Sequence, residues 1–425
     1  MLGKLIEEFK QIFHSSEAIR CFFAPGRVNL IGEHTDYNGG HVFPCSLSIG
    51  TYAVVQKRHD RKIRMYSKNF SEAGVIESSL EQLTYKIEDD WGNYPKGVME
   101  TFKKHGYDLP FGFDILFFGN IPNGAGLSSS ASIELVTCVL LNKIFELNID
   151  MMDLVKMAQQ AENEFIGVSC GIMDQFAIGM GKENQAVLLN CQTLEYQYSP
   201  LQLTDAVLVI SNTNKRRGLA DSKYNERRME CERALSDLQT SLSINSLGDL
   251  TKEQFEKYKF LIQNEVDCKR AKHAVYENER TKEAVAKLQN GDLKGFGQLM
   301  NESHCSLRDD YEVSGKELDA LVEAAWLQEG VIGSRMTGAG FGGCTISIVQ
   351  KAQVDRFIEQ VRDTYYEKTS LEAEFYVVTV GEGARELTLE AVQEKTQIEK
   401  GTSVCQSTFM KKSPDLFNMV YKRIY

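Results

Sequence analysis

Strand-like and helical segments are interspersed along this chain without a regular strand–helix–strand repeat. Residues 113–117 and 344–349 are strand-like, residues 134–147 and 152–165 have helical character, and residues 222–305 form a long, charge-rich helical region. A doubly wound parallel sheet needs strands and helices that alternate with a regular period. The pattern therefore predicts a mixed α+β fold rather than a doubly wound one.

A polar stretch at residues 192–204, which carries Pro200, predicts a boundary between two globular units. The chain has 425 residues, which suits two or three domains of about 150 residues each. We expect one unit over residues 1–200 and a second over 201–385. Residues 386–425 are predicted to be an extension of unknown role, with helical character over 386–399.

Charge and cysteine usage exclude several classes of protein. The 48 Lys and Arg against 59 Asp and Glu give a net charge of −11, whereas a non-specific nucleic-acid binder needs a basic field. None of the ten cysteines forms a C-x-x-C pair, so we expect reduced core thiols rather than a zinc or redox motif. No apolar run is long enough to span a membrane, and no signal peptide is recognisable. We expect a cytoplasmic protein that binds neither nucleic acid nor membrane.

The segment PGRVNLIGEHTDYNGG, residues 25–40, is the first of three dense polar and glycine-rich segments. Its glycines permit tight turns and close approach of the backbone. Val28, Leu30 and Ile31 alternate with the polar groups, so part of the loop should be anchored in a core. This combination favours a pocket that hydrogen-bonds a polyhydroxylated ligand.

The second segment, PNGAGLSSSAS at residues 122–132, follows a predicted strand and leads directly into a helix. Backbone N–H groups and the dipole at a helix N-terminus attract a phosphate. No G-K-[ST] follows, so this is not a Walker loop, and a plain Gly/Ser helix cap is the alternative. Serine hydroxyls here are candidate Mg²⁺ ligands, with Glu162 on the next helix as the carboxylate; a solvated helix glutamate is the alternative.

Two further segments complete the candidate chemistry. RMTGAGFGGC at residues 335–344 is a second glycine loop that would close over a nucleotide, with a simple tight turn as the alternative. In CGIMDQF, residues 170–176, Asp174 is a candidate base that accepts the proton of a substrate hydroxyl; a cap or turn is the alternative. Arg27 would orient this carboxylate and offset charge on a transferring phosphoryl group.

Together these segments resemble the galactokinase family of the GHMP small-molecule kinases. The resemblance is collinear over residues 10–385. Residues 26–40 look like the sugar-kinase signature, while residues 124–130 and 335–344 are similar to the nucleotide-binding and C-terminal glycine motifs shared by the superfamily. The resemblance implies a two-lobed α+β fold, with a ribosomal S5-like N-terminal lobe, a ferredoxin-like C-terminal lobe and the site between them.

The resemblance also implies residue roles. Asp174 resembles the catalytic base and Arg27 the transition-state stabiliser, while Ser130 and Glu162 match the Mg²⁺ positions. The implied sugar-binding residues are Glu33, His34, Thr35, Asp36 and Tyr224. The implied ATP-binding residues are Ser67, Gly124, Ala125, Gly126, Leu127, Ser128, Ser129 and Ser130. Gln185 and Asn190 stand where the family often has histidine and aspartate, outside the assigned chemistry.

The implied reaction is transfer of the ATP γ-phosphoryl group to the anomeric 1-hydroxyl of α-D-galactose, with Mg²⁺ as cofactor. The expected partners are galactose and ATP, and we expect a monomer. Two alternatives remain open: a kinase for a related sugar such as N-acetylgalactosamine, and a non-catalytic sensor that binds galactose and ATP. The intact serine run, Arg27 and Asp174 argue against the sensor.

Overall fold

Three β-sheets organise the residues that the computed structural model describes, which are 1–14, 18–122, 126–215 and 220–388. The strands are β1 (Ile19–Asn29), β2 (His41–Val42), β3 (Pro44–Lys57), β4 (Lys62–Ser67), β5 (Ile76–Ser79), β6 (Phe113–Gly119), β7 (Gln185–Asn190), β8 (Tyr196–Pro200), β9 (Ala206–Asn212), β10 (Val331–Thr337), β11 (Cys344–Gln350), β12 (Glu374–Val378) and β13 (Arg385–Leu387).

Helices cover the sheets and connect them. They are α1 (Leu2–Phe13), α2 (Asn93–Lys104), α3 (Ser129–Ile144), α4 (Met151–Gln160), α5 (Met173–Gly179), α6 (Ala220–Gln239), α7 (Lys252–Tyr258), α8 (Glu265–Gln289), α9 (Leu293–Asp309), α10 (Gly315–Trp326) and α11 (Val354–Thr369). A π-helix, Ala161–Ile166, continues from α4, and short 3-10 helices include Asp36–Asn38.

The largest sheet has six strands in the order β13-β1-β3-β6-β4-β5. Successive strand residues point to opposite faces, and both faces of this sheet are covered. Ala53 and Val55 of β3 pack in the main core with α2, α3, α4 and α5. Val54, between them, packs under α1 with Phe9 and Phe13. The alternation of apolar side chains on β3 therefore holds helices on both sides of the sheet.

The second sheet has four strands in the order β10-β11-β9-β12. Leu208 and Ile210 of β9 face a core built with α8 and α9, and Val28 and Leu30 from the end of β1 join the same core. Val209 faces the opposite side, where α10 and α11 pack. One hydrophobic core therefore binds the two halves of the chain together directly beneath the segment 25–40.

A small third sheet, in the order β2-β7-β8, anchors the far end of that segment. His41 of β2 pairs with Asn190 of β7, and Val42 pairs with Leu189. The loop between β1 and β2 is thus fixed at both ends by sheets.

Several sequence predictions can be compared with these elements. The α+β class is confirmed. The helix predicted at residues 134–147 begins earlier, at Ser129, directly after the serine run. The helix predicted at 152–165 is α-helical only to Gln160 and then π-helical. The helix predicted at 386–399 is wrong for its first two residues, which belong to β13 and pair with β1; the remainder lies beyond the described residues except for Thr388. In the described part of the chain, no helix is both long and apolar enough to cross a membrane.

Candidate active site

Arg27 and Asp174 form a bidentate ion pair at the centre of the structure. Arg27 lies near the end of β1, and Asp174 lies in the first turn of α5. The guanidinium Nε donates to Asp174 Oδ1 at 2.8 Å, and Nη2 donates to Oδ2 at 2.7 Å. The Arg27 side chain is 5% exposed and that of Asp174 is 28% exposed. The arginine is therefore the buried support, and the carboxylate remains accessible to a ligand.

Arg27 is itself fixed by the loop that precedes α3. Its Nη1 donates to the Gly126 carbonyl at 2.8 Å, and its backbone N–H donates to the Leu127 carbonyl at 3.2 Å. A side chain at Gly26 would place Cβ 2.9 Å from the Leu127 carbonyl oxygen, so only glycine allows this approach. A bulge in the β1–β3 pairing between Pro25 and Arg27 turns the strand here, as bulges commonly do beside active sites.

Ser128 connects the same loop to Asp174. It adopts a left-handed backbone conformation (φ 61°) immediately before α3, and its hydroxyl donates to Asp174 Oδ2. It makes no side-chain cap on α3. The N-terminal N–H groups of this 16-residue helix are consequently not capped by Ser128, in the arrangement that suits an anion.

The predicted nucleotide-binding residues occupy this helix start. Gly126, Leu127 and Ser128 precede α3, and Ser129 and Ser130 form its first turn. Leu127 is buried, Ser129 is exposed and Ser130 is half-buried. Gly124 and Ala125 lie outside the described residues. Ser67 ends β4, whose parallel neighbour β6 leads into the same loop.

Glu162 lies in the π-helix that follows α4, and π-helical turns frequently mark functional sites. Its carboxylate is buried, and Oε2 accepts a hydrogen bond from Gln175 Nε2 at 2.6 Å. The Ser130 side chain also hydrogen-bonds to it. Burial, and after it the nearby Asp174 carboxylate, raise the pKa of Glu162. The structure therefore brings together the two predicted metal ligands, Ser130 and Glu162.

The surroundings of Glu162 are chemically suited to Mg²⁺. Glu134 is fully buried, and its Oε1 has no hydrogen-bond partner within the described part of the chain. Burial and the charge of Glu162 raise its pKa well above the ordinary value. Mg²⁺ binds oxygen ligands and usually takes only one or two protein carboxylates, leaving the rest to water and phosphate. The described residues contain no group of three or more His, Cys, Asp and Glu side chains that could hold a metal.

Four of the predicted sugar-binding residues, Glu33, His34, Thr35 and Asp36, lie in the loop between β1 and β2, which we call the sugar loop, and Tyr224 lies on α6. Asp36 begins the 3-10 helix Asp36–Asn38 and contacts Gly171, three residues before Asp174. Burial, followed by the charges of Asp174 and Glu33, raises the pKa of Asp36 to about 6. The Tyr224 ring lies 5.7 Å from the ring of His34. Asp36 thus lies beside the segment that leads to Asp174, and Tyr224 lies beside His34.

Glu33 and His34 contact the second glycine loop. Glu33 Oε1 accepts from the Gly338 N–H at 2.7 Å, and His34 Nε2 lies 3.2 Å from the Ala339 carbonyl oxygen. Burial lowers the pKa of His34 to about 3. A Cβ on Gly338 would lie 3.1 Å from the Gly126 carbonyl oxygen. The segment 338–339 therefore contacts the sugar loop and approaches the loop that precedes α3.

Thr35 supports the loop from within. It is fully buried, and its hydroxyl lies within hydrogen-bonding distance of the carbonyls of Gly32 (2.9 Å) and His41 (2.7 Å). The described contacts of Thr35 thus close the loop, whereas the Asp36 side chain faces Gly171, three residues before Asp174.

Helix α8 provides three residues that sequence reasoning missed. Glu277 Oε1 accepts from the Gly32 N–H at 3.0 Å, His273 Nε2 lies 3.1 Å from the Glu33 carbonyl oxygen, and Asn278 Oδ1 accepts from the His41 N–H at 2.8 Å. All three side chains are buried. The available signal was their spacing: positions 273 and 277 share one face of a helix. In a charge-rich helix this spacing does not distinguish a buried face from a solvated one.

Three family models match this chain. The GHMP kinases N terminal domain matches residues 93–182, the galactokinase galactose-binding signature matches residues 7–57, and the GHMP kinases C terminal matches residues 284–367. The first covers the start of α3, Glu162 and Asp174, and the second covers Arg27 and the sugar loop. The matches define the class of the protein: its fold is that of a GHMP kinase.

Curated relatives agree along nearly the whole chain. The galactokinase of Clostridium beijerinckii is 60% identical over 386 residues, covering 91% of this chain and 99% of that protein. The galactokinase of Bacillus subtilis is 62% identical over 379 residues, covering 89% and 97%. The chain therefore belongs to the galactokinase family of the GHMP kinases, and the resemblance seen in its sequence motifs is confirmed.

Solved structures confirm the two-lobed fold. The crystal structure of Lactococcus lactis galactokinase complexed with galactose is 49% identical, covers 91% of this chain and 100% of its own, and superimposes with a TM-score of 0.89. Methanococcus jannaschii mevalonate kinase, at 18% identity and a TM-score of 0.59, covers 86% of this chain and 99% of its own. At that identity the likeness concerns the fold alone.

Proposed function

We propose that this protein is a galactokinase, which transfers the γ-phosphoryl group of ATP to the anomeric 1-hydroxyl of α-D-galactose in galactose catabolism through the Leloir pathway. The observation that carries the proposal is the Arg27–Asp174 pair, positioned beside Ser128 at the start of α3 and three residues from Gly171, which Asp36 of the sugar loop contacts. This arrangement places a carboxylate between a candidate sugar site and a candidate phosphate site.

Asp174 acts as the base in this proposal. Two hydrogen bonds from Arg27 and one from Ser128 hold the carboxylate in a single orientation. Its oxygens keep further lone pairs that can accept the proton of the sugar hydroxyl. Arg27 lies next to the same oxygens, so its positive charge is available to the phosphoryl group as the attacking oxygen approaches.

The nucleotide is bound at the start of α3. Residues 124–130 and Ser67 surround the phosphates, and the helix N-terminus supplies N–H groups and a partial positive charge. The protein carries a net charge of −11, so its overall field does not attract ATP. Local backbone donors must therefore provide the attraction.

Ser130 and Glu162 hold Mg²⁺ in this proposal. When bound, the ion supplies charge neutralisation between the phosphate oxygens. Gln175 fixes the Glu162 carboxylate through the 2.6 Å hydrogen bond, and Glu134 accepts from the same Gln175 amide at 3.1 Å. The chain thus supplies one carboxylate and one hydroxyl, already oriented.

The sugar is held by Glu33, His34, Thr35, Asp36 and Tyr224. Asp36 and Tyr224 are placed for direct contact, and Thr35 shapes the loop. We further infer a cytoplasmic monomer with lobes at residues 1–200 and 201–385, in which galactose and ATP are the partners. Sedimentation analysis at micromolar concentration tests the monomer.

Coupled ADP release with galactose, N-acetylgalactosamine, glucose and mevalonate, measured in parallel, tests the function. The proposal requires turnover on galactose well above the other three. Turnover on mevalonate but not on galactose contradicts the sugar assignment, and preference for N-acetylgalactosamine identifies the related sugar kinase. Binding of galactose and ATP without turnover identifies a sensor.

A further inference from the structure

A series of hydrogen bonds, buried at Cys231 and partly buried toward His34, runs from Cys231 through His34 to the second glycine loop. Cys231 Sγ lies 3.2 Å from the Tyr311 hydroxyl, which lies 2.7 Å from the Tyr37 hydroxyl. The Tyr37 hydroxyl lies 2.8 Å from His34 Nδ1, and His34 Nε2 lies 3.2 Å from the Ala339 carbonyl oxygen. Its members come from α6, the segment after α9, the sugar loop and the loop after β10.

The Ala339 carbonyl, at one end of this series, fixes the direction of the hydrogen bonds. The Ala339 carbonyl can only accept, so His34 Nε2 carries the hydrogen, and in a neutral ring Nδ1 therefore accepts from Tyr37. Tyr37 has then used its only hydrogen and must accept from Tyr311, and Tyr311 must in turn accept from the Cys231 thiol. Each of the four links therefore receives one hydrogen.

The contacts of Cys231, at the other end of the series, agree with this direction. The Asn38 Nδ2 group donates to the His34 carbonyl at 2.8 Å, which fixes the orientation of the amide, and to Cys231 Sγ at 3.6 Å. Sγ is thus an acceptor for Asn38 and remains free to give its own hydrogen to Tyr311. A doubly protonated His34 would instead donate from Nδ1, which reverses the next three links so that Tyr311 donates to Sγ. It would also place a positive charge among buried groups, where desolvation lowers the pKa of His34 to about 3.

Burial reinforces the same protonation pattern. Tyr311 is 0% exposed and Cys231 1% exposed. Desolvation raises the pKa of Cys231 to about 12 and those of Tyr37 and Tyr311 well above their ordinary values. These groups therefore keep their hydrogens near neutral pH.

We propose that Cys231, Tyr311 and Tyr37 are positioning residues that hold His34 as the neutral Nε2–H tautomer, with both ring nitrogens occupied inside the protein. This inference rests on the proposed function in placing His34 at the sugar site. It follows that His34 transfers no proton in the reaction and serves as a rigid wall of that site. Its ring is also packed against Tyr311, with centroids 4.8 Å apart.

Nitrogen NMR of the full-length protein labelled with ¹⁵N-histidine tests the tautomer directly. The signals of His34 among the seven histidines are assigned by difference with His34→Asn. We expect a protonated Nε2 and an unprotonated Nδ1, without titration between about pH 5 and 8, where an ordinary histidine titrates. A protonated Nδ1, or titration in this range, overturns the proposal.

Two substitutions that each remove a tyrosine hydroxyl, together with a matched control, test the positioning role. Tyr37→Phe removes the donor to Nδ1 and leaves a buried acceptor unpaired, so the KM for sugar should rise about tenfold while the KM for ATP stays unchanged. Tyr311→Phe should move the Nδ1 shift and the sugar KM in the same direction by less, because it acts through Tyr37. Tyr365→Phe removes a hydroxyl that donates to the Thr213 carbonyl, from a ring as fully buried as that of Tyr311, and should change neither quantity.

The outcomes separate the two proposals. The tautomer is read without any sugar, so an Nε2–H His34 in a protein that turns over no galactose removes the proposed function and leaves the chain of hydrogen bonds intact. If Tyr37→Phe matches Tyr365→Phe in both sugar KM and ¹⁵N shift, Tyr37 does not position His34.

Discussion

Arg27 and Asp174, 147 positions apart in the sequence, meet through two parallel hydrogen bonds of 2.8 and 2.7 Å. Both ends are anchored, Arg27 by the Gly126 and Leu127 carbonyls and Asp174 by the first turn of α5. Ser128 donates to the same carboxylate. A group held by this many contacts keeps its geometry without a ligand, as an active site requires.

Replacing Asp174 by asparagine should reduce kcat by about 10²–10⁴-fold, because an amide cannot accept the hydroxyl proton. The binding of MgADP should change little, since the start of α3 remains in place. Coupled ADP release measures the first effect and calorimetry the second. Near wild-type kcat would show that the base has been wrongly assigned.

Replacing Arg27 by lysine keeps the charge but loses the planar fork that bonds Asp174 and Gly126 together. We expect kcat to fall by about 10–100-fold, the range for a misplaced catalytic group. Ser128→Ala removes only one of the three hydrogen bonds to Asp174 and should have a smaller effect. Equal losses in both variants would argue against a special role for the fork.

Replacing Glu162 by glutamine should raise the Mg²⁺ concentration needed for half-maximal rate, because a charged ligand is lost. Glu164→Gln is the matched control, since Glu164 lies two residues further along the same π-helix and is exposed. Binding of Mn²⁺–ADP, followed by electron paramagnetic resonance, provides a second measurement. Identical metal titrations of the two variants would remove Glu162 from the site.

Asp36 should give sugar binding an acid limb near pH 6. Its pKa is raised to about 6, so the carboxylate is ionised above that pH and becomes protonated as the pH falls through it. The kcat/KM for galactose should therefore decline below about pH 6, and Asp36→Asn should abolish this limb. His34, with a pKa near 3, does not titrate there, so persistence of the limb in Asp36→Asn would contradict the assignment.

Glu277 should support both sugar binding and stability. Its carboxylate is buried, accepts from Gly32 and pairs with Arg280, so Glu277→Gln leaves Arg280 poorly compensated and should lower the free energy of unfolding by about 3–5 kcal/mol. The KM for sugar should rise more than the KM for ATP. Glu283→Gln, exposed on the same helix, is the control for both measurements.

The stability difference at Glu277 should depend on pH with a defined sign. The pKa of Glu277 is lowered to about 2 in the folded protein, mainly by Arg280 acting against burial, from an ordinary value of 4.5. A depressed carboxyl pKa stabilises fully above about pH 4.5, and this contribution is lost as pH falls toward 2. Denaturant unfolding of wild type and Glu277→Gln should therefore converge over that interval, and a constant difference would refute the charge pairing.

The sequence alone determined the α+β class, the glycine and serine motifs and most residues of the candidate site, because these depend on local composition and spacing. The spacing of Leu2, Ile6, Phe9 and Phe13 predicts a helix over residues 2–13, which are the observed bounds of α1, since an amphipathic period is a local property. The pairing of Arg27 with Asp174 was only an expectation. The two side chains meet because β1 and α5 both pack against the same helix, α3.

Tertiary structure alone decided what supports the site. Glu277, His273 and Asn278 lie about 240 positions from the loop they hold, and in sequence they are ordinary polar residues of a charged helix. The π-turn at Glu162 and the hydrogen-bond chain to His34 likewise depend on elements distant in sequence. The polarity of a side chain is known from the sequence. Its burial and its hydrogen-bond partner are determined only when the whole chain has packed.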